Sequence, residues 1–156
     1  MVTAGVRMEL RDDDLTNFER HGAEPLPATS DQGYVDHKGA RIWYATIGAG
    51  RSVILLHGGL GHSGNWGYQV PALMSSDYRA VLIDSRGHGR STRDERPYTY
   101  ELMASDVLAV MDHIQLKKAA FVGWSDGACT ALVLARNAAS RSEVSSFFPA
   151  KWIPAA

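Results

Sequence analysis

Gly123-Trp124-Ser125-Asp126-Gly127 is the segment of this chain whose residue types and spacing can do chemistry. Ser125 stands where a short apolar run, Ala119 to Gly123, meets a small-residue helical run, Asp126 to Arg136. A strand that turns at once into a helix holds such a serine in a strained conformation with positive φ. A Cβ at Gly123 or Gly127 would then strike the neighbouring strand or helix. The turn aims Oγ beyond the C-terminal edge of the sheet, and the adjoining helix N-terminus favours negative charge. Ser125 is therefore the candidate nucleophile, and the chemistry is covalent attack on an acyl centre.

Acyl transfer also needs backbone N–H groups aimed at the developing oxyanion, worth about 3 kcal/mol for one donor. His57-Gly58-Gly59-Leu60-Gly61 follows an apolar run and has the glycines that let backbone approach a bound carbonyl. The N–H of Gly59 is the donor expected from that loop, and the N–H of Asp126 the donor from the elbow. A third segment, Asp84-Ser85-Arg86-Gly87-His88-Gly89-Arg90-Ser91, has the glycines of a tight loop that Asp84 and Arg86 can tie down. It reads as scaffold.

The elements that must position these loops follow from periodicity. Tyr34 to His37 and Arg41 to Ile47 flank Lys38-Gly39 as a hairpin. Ser52 to His57 and Arg79 to Asp84 are continuous aliphatic runs, the pattern of strands buried on both faces of a parallel sheet. Tyr68 to Ser75 is a short helix with Pro71 in its first turn. Residues 99–116 form a longer helix capped by Thr99, with Met103, Val107, Val110, Met111 and Ile114 on one face. Alternating strands and helices specify an α/β class with a mostly parallel sheet. Residues 1–32 are expected to be a loose polar extension, 33–137 the folded domain, and 138–156 an irregular tail.

With the three loops in this order, residues 33–137 strongly resemble the N-terminal half of the α/β-hydrolase fold superfamily, strands 1–5. The resemblance rests on H-G-G after one strand, D-x-R-G-x-G-x-S after the next, and the elbow after the one beyond. It implies hydrolysis of an ester or related acyl bond through an acyl-serine, and Ser125 sets the chain apart from members with an aspartate nucleophile. It also implies a triad running Ser, Asp or Glu, then His along the chain. After Ser125 the acidic residues are Asp126 and Glu143, and no histidine follows. Without a base the serine hydroxyl is a poor nucleophile, so this chain is expected to be an inactive, truncated form with an unpaired strand-5 edge open to self-association. The tail from about Ala138 reads either as a genuine short tail or as a changed reading frame. The shifted codons permit Pro-Glu-Arg and then three large apolar residues across Ser140 to Phe148.

Other side chains have plain readings beside the sharp ones. His57 and His88 belong to the loops that shape the site, and His62 and His113 are read as surface residues. The Asp126 carboxylate reads either as a partner for a cationic substrate group or as a complement to the helix N-terminus. Trp66 and Trp124 suit either an acyl pocket or the core, and Cys129 suits a small buried hydrophobe. Gly59-Leu60-Gly61-His62-Ser63-Gly64 matches a dinucleotide fingerprint with Asp84 as the ribose acid. That fingerprint should open a helix at once, and Asn65 to Gln69 starts one weakly. A non-catalytic remnant or small-molecule-binding half-domain is the alternative from another class.

Bulk properties narrow the rest. The 156 residues suit one domain, with 45% hydrophobic and 21% charged residues. A net charge of −1 and no basic run argue against nucleic acid or an acidic membrane surface. Met1 to Arg20 has no apolar segment of a signal peptide and carries Asp12-Asp13-Asp14. The single cysteine excludes an internal disulfide. The expected setting is cytoplasmic, with a small-molecule acyl substrate and no cofactor or metal.

Overall fold

The computed structural model describes residues 20–22 and 24–148. Strands β1 (Asp31–His37) and β2 (Ala40–Ile47) form the expected hairpin. Its turn places Lys38 at φ 43° and Gly39 at φ 80°, the pair of positive φ values that matches the twist of two-residue hairpins. Then follow β3 (Arg51–Leu56), a 3-10 turn (Ser63–Trp66), α1 (Gln69–Ser75), β4 (Tyr78–Ile83), α2 (Tyr100–His113), β5 (Ala119–Trp124) and α3 (Asp126–Asn137). A second 3-10 turn (Ala139–Arg141) leads into β6 (Ser142–Phe148).

The strands make one six-stranded sheet in the order β1-β2-β4-β3-β5-β6. β2 pairs antiparallel with β1 and β4, and the pairings from β4 through β3 and β5 to β6 are parallel. Both faces are covered, which is why the strands read as unbroken aliphatic runs. On one face Ile42, Tyr44, Ile54, Leu56, Val81, Ile83 and Phe121 pack under α2 and α3. On the other Trp43, Ala45, Ile47, Val53, Leu55, Ala80 and Leu82 pack under Trp66 and Val70. Alternate residues of each strand thus serve opposite layers.

Helix α2 begins as its cap residue dictates, the Leu102 N–H donating to Thr99 Oγ1 at 3.1 Å. It stops earlier than the apolar spacing suggested, because Gln115 turns the chain at φ 56°. Met103, Val107, Val110 and Met111 are buried as expected, and Ile114 packs against the same core.

The two chain ends differ from the sequence reading. Residues 1–19 and 23 of the expected loose extension lie outside the described residues. Its later part is anchored: Leu26 packs on the second core layer, the Ser30 N–H donates to Thr46 O at 2.7 Å, and Asp31 and Gln32 already belong to β1. The irregular tail expected from Ala138 instead carries β6 in parallel register with β5, Gly123 opposite Phe147 and Trp124 opposite Phe148. Arg141 docks it, donating to Lys117 O at 2.7 Å, Leu116 O at 3.0 Å and Asp112 Oδ1 at 2.8 Å. Strand β5 is therefore paired on both sides, and the sheet edges among the described residues are β1 and β6. Residues 149–156 lie outside the described residues.

Candidate active site

Ser125 sits between β5 and α3 with φ 53° and ψ −122°, the left-handed strain that the elbow spacing demands. The structure shows why glycine stands on both sides of it. A Cβ on Gly127 would run into the backbone carbonyl of Leu56, and one on Gly123 into the carbonyl of Gly127. The elbow is thus wedged against the C-terminal end of β3, where the His57 loop leaves the sheet.

That wedge brings the candidate groups together. A Cβ on Gly58 would lie 2.9 Å from Ser125 Cβ, and one on Gly59 2.6 Å from Asp126 Oδ2. The loop after β3 and the start of α3 are therefore in van der Waals contact, with Gly59, Ser125 and Asp126 at one point. Ser125 is half-buried, and its side chain makes no capping hydrogen bond to the helix it precedes.

The Asp126 carboxylate has a partner that sequence reasoning missed. Tyr100, the first residue of α2, donates its hydroxyl to Asp126 Oδ1 at 2.8 Å. The bond to Asp126, then contact with Cys129, pushes the Tyr100 hydroxyl up to about 12, so it stays a donor throughout the neutral range. No spacing rule links positions 100 and 126; only the packing of α2 beside α3 does. Cys129, expected to be a small buried hydrophobe, is half-buried beside this pair.

The histidines take scaffold roles. His57 is buried; its Nε2 accepts from the Ser85 N–H at 2.9 Å. Nδ1 must therefore carry the proton, which it donates to Gly58 O at 2.7 Å. Burial, the largest influence, pulls its pKa below 6.5, so a neutral ring with both nitrogens occupied ties the β3 loop to the β4 loop. His88 bonds Arg86 O through Nδ1 at 3.0 Å, its ring 5.4 Å from that of His57. His62 is exposed and caps the first 3-10 turn, its Nδ1 accepting from the Gly64 N–H at 3.0 Å. His113 is exposed at the end of α2, edge-on to Tyr44. Trp66 lies in the core, and Trp124 is half-buried with its ring against Gly58.

The loop after β4 is built differently. Asp84 is fully buried and accepts from the Ser63 N–H at 2.7 Å and the Arg90 N–H at 2.9 Å. Arg86 is buried too, paired with Asp106 of α2 through two bonds of 2.7 and 2.8 Å. It also lies 3.3 Å from Asp94 and donates to His37 O at 3.2 Å. The Asp106 bonds are the foremost reason its guanidinium is held above its ordinary value. Asp106 was legible in principle, as a charge on the otherwise apolar face of α2.

The dinucleotide reading of residues 59–64 fails on local geometry. A 3-10 turn begins within it at Ser63, and α1 starts only at Gln69, so no α-helix N-terminus meets the glycine loop. Among the described residues no group of His, Cys, Asp or Glu side chains is placed to hold a metal ion, and no helix is long and apolar enough to cross a membrane. A cavity of about 500 Å³ lies at the opposite edge of the sheet, lined by Met111, Gln115, Leu116 and Arg141 among others. It opens beside the N-terminal ends of β5 and β6, away from Ser125.

Comparison with known proteins agrees with this architecture. The family model for the alpha/beta hydrolase fold matches residues 51–148. The chain is 36% identical over 93 residues to 3-oxoadipate enol-lactonase 2 of Acinetobacter baylyi, covering 59% of this chain and 35% of the lactonase. It is 31% identical over 100 residues to bifunctional epoxide hydrolase 2 of Sus scrofa, covering 62% of this chain and 18% of that enzyme. A solved hydrolase from Pseudomonas aeruginosa superposes with a TM-score of 0.71 at 29% identity, covering 74% of this chain and 44% of that one. The chain thus spans less than half the length of each of these relatives. It belongs to the alpha/beta hydrolase fold family, and the relatives it matches include an enol-lactonase, an epoxide hydrolase and a solved hydrolase.

Proposed function

We propose that Ser125 is the nucleophile of a serine hydrolase acting on an ester or related acyl bond. Its Oγ attacks the carbonyl carbon and gives up its proton, the carbonyl oxygen gathers negative charge between the Gly59 and Asp126 amides, and the ester C–O bond breaks as the alkoxide leaves with that proton. Water then hydrolyses the acyl-serine. The observation that carries this reading is the strained φ of 53° at Ser125, held by glycine packing against the very loop that contains Gly59. Strain of this kind costs about 1–3 kcal/mol and persists where a function requires it. The likeness to an enol-lactonase supports acyl chemistry.

The 156-residue chain by itself does not turn over under this reading. No histidine follows Ser125, and both nitrogens of the nearby His57 are committed to backbone. Loss of a triad base costs several orders of magnitude in rate. What remains is a nucleophile facing amide donors, able to bind or capture an acyl compound. An alkyl fluorophosphonate tests this directly, since phosphonylation needs Ser125 Oγ to displace fluoride while the amides receive the phosphoryl oxygen. With the reagent in large excess and a long incubation, as a serine without its base requires, peptide mass spectrometry is expected to place the adduct on Ser125 and to lose it in Ser125→Ala. Adducts scattered over other serines, with none at 125, would refute the assignment.

A further inference from the structure

Tyr100 and Asp126 form a polar pair beside Ser125 that the acyl-transfer reading leaves without a role. Asp126 presents a carboxylate within van der Waals distance of Gly59, Oδ2 lying 2.6 Å from the place a Gly59 Cβ would take. A full negative charge there would oppose the negative charge that the Gly59 and Asp126 amides are to receive. Like charges near one another repel, less at an exposed position such as that of the Tyr100–Asp126 bond than at a buried one. The structure gives that carboxylate one fixed orientation: Oδ1 accepts from the Tyr100 hydroxyl at 2.8 Å.

Tyr100 is well placed to hold it. It opens α2, whose N-terminus is fixed by Thr99 and whose body is anchored through the buried Asp106–Arg86 pair. The hydroxyl is therefore delivered from a rigid element, while Asp126 begins α3 immediately after the strained serine. The hydroxyl, pushed up to about 12, does not surrender its proton at neutral pH, so the donor is permanent.

We propose that Tyr100 is a positioning residue for the oxyanion site: its hydroxyl fixes the Asp126 carboxylate with Oδ1 turned to α2 and offsets part of its charge, so that less of that charge bears on the oxyanion. The inference rests on the reading of Ser125 as nucleophile. It assigns α2 a direct part in the site and explains how a carboxylate is tolerated next to the nucleophile.

Phenylboronic acid provides the test in the 156-residue chain. Ser125 Oγ forms a bond to boron, the serine proton goes to buffer, and the tetrahedral boronate carries the negative charge that an oxyanion would. Binding is followed by ¹¹B resonance and by the amide resonances of Gly59 and Asp126. Far-UV circular dichroism checks the fold of each variant. Tyr100→Phe keeps the ring and removes the donor, and is expected to weaken boronate binding roughly tenfold, the size of one lost hydrogen bond to a charged group. In an Asp126→Asn background, where no charge needs pinning, the same change is expected to matter less than about threefold. A space-filling role would give no such coupling.

Equal binding by wild type and Tyr100→Phe, with unchanged amide shifts, overturns the proposal while leaving the nucleophile reading intact. Absence of any Ser125-dependent boronate in the wild type overturns both. If Tyr100→Phe does not fold, the wild type still decides. Its Tyr100 ring resonances are expected to move together with the Gly59 and Asp126 amides when boronate binds, and a ring that does not respond overturns the proposal.

Discussion

The loops after β4 and after β5 leave the same edge of the same sheet, yet they are built on opposite plans. After β4, Asp84 and Arg86 are fully buried and satisfied on several sides by Ser63, Arg90, Asp106, Asp94 and His37. Ser91 seals the same loop, its hydroxyl donating to Asp84 O at 2.5 Å and accepting from the Trp43 N–H at 2.8 Å. After β5, Ser125 is half-buried, strained and without a capping bond, and glycine contacts rather than ion pairs hold its neighbours. Charge density alone would favour the loop after β4, whose charged groups are already paired, as the reactive one. Polar groups that are fully paired have nothing left to offer a substrate, whereas a strained, unengaged hydroxyl does.

Substitutions can break this contrast or sharpen it. Arg86→Met should have the largest effect, because it leaves Asp106 and Asp94 without their buried cation. The expected loss is about 3–5 kcal/mol, read from urea unfolding followed by circular dichroism. A loss under about 1 kcal/mol would mean the cluster is not the anchor described. Gly127→Ala comes next, since its Cβ meets the Leu56 carbonyl, a backbone atom that cannot rotate away. Overpacking of this kind costs about 1–3 kcal/mol, and the amide resonances of the His57 loop should shift with it.

Ser125→Gly reverses the sign. Glycine tolerates φ 53° without penalty, so this variant is expected to be more stable than the wild type by about 1 kcal/mol after its own entropy cost. A destabilised glycine variant would remove strain from the description of the elbow.

The smallest effect concerns pH. Burial holds the His57 imidazole below its ordinary value of 6.5, so the unfolded chain takes up the proton first as pH falls. The stability this group contributes is complete above 6.5 and is lost as pH drops from there through the folded-state value. His37 acts in the same direction, burial again being the largest cause. The urea midpoint is expected to fall between about pH 7 and pH 5, and His57→Gln to shrink that fall. A midpoint that rises on acidification contradicts the neutral, buried ring.

Sequence alone carried the parts of this molecule governed by local rules. The hairpin at Lys38-Gly39, the Thr99 cap, the doubly buried runs of β3 and β4 and the elbow at Ser125 each need only neighbours in the chain. What it did not carry depends on groups distant in sequence. The Tyr100–Asp126 bond joins residues brought together only when α2 packs on α3. The Arg86–Asp106 pair needs a loop and a helix to meet in the core. β6 was hidden because Ser142 to Ser146 reads as polar tail, and its docking comes from Arg141 reaching three acceptors across the sheet edge. Leu26 likewise looked like part of a loose extension until its side chain met the second core layer.

The proposal is that Ser125 is a nucleophile with the Gly59 and Asp126 amides as donors, and that none of His57, His62 and His88 serves it as a base. Release of nitrophenol from p-nitrophenyl acetate, followed over time with wild-type chain and with Ser125→Ala, tests it most directly. The expected result is at most one equivalent released per chain, dependent on Ser125, and then no rate above background. Sustained turnover near an ordinary enzymatic value of about 10 s⁻¹, abolished by Ser125→Ala, would contradict it and place a working base among His57, His62 and His88.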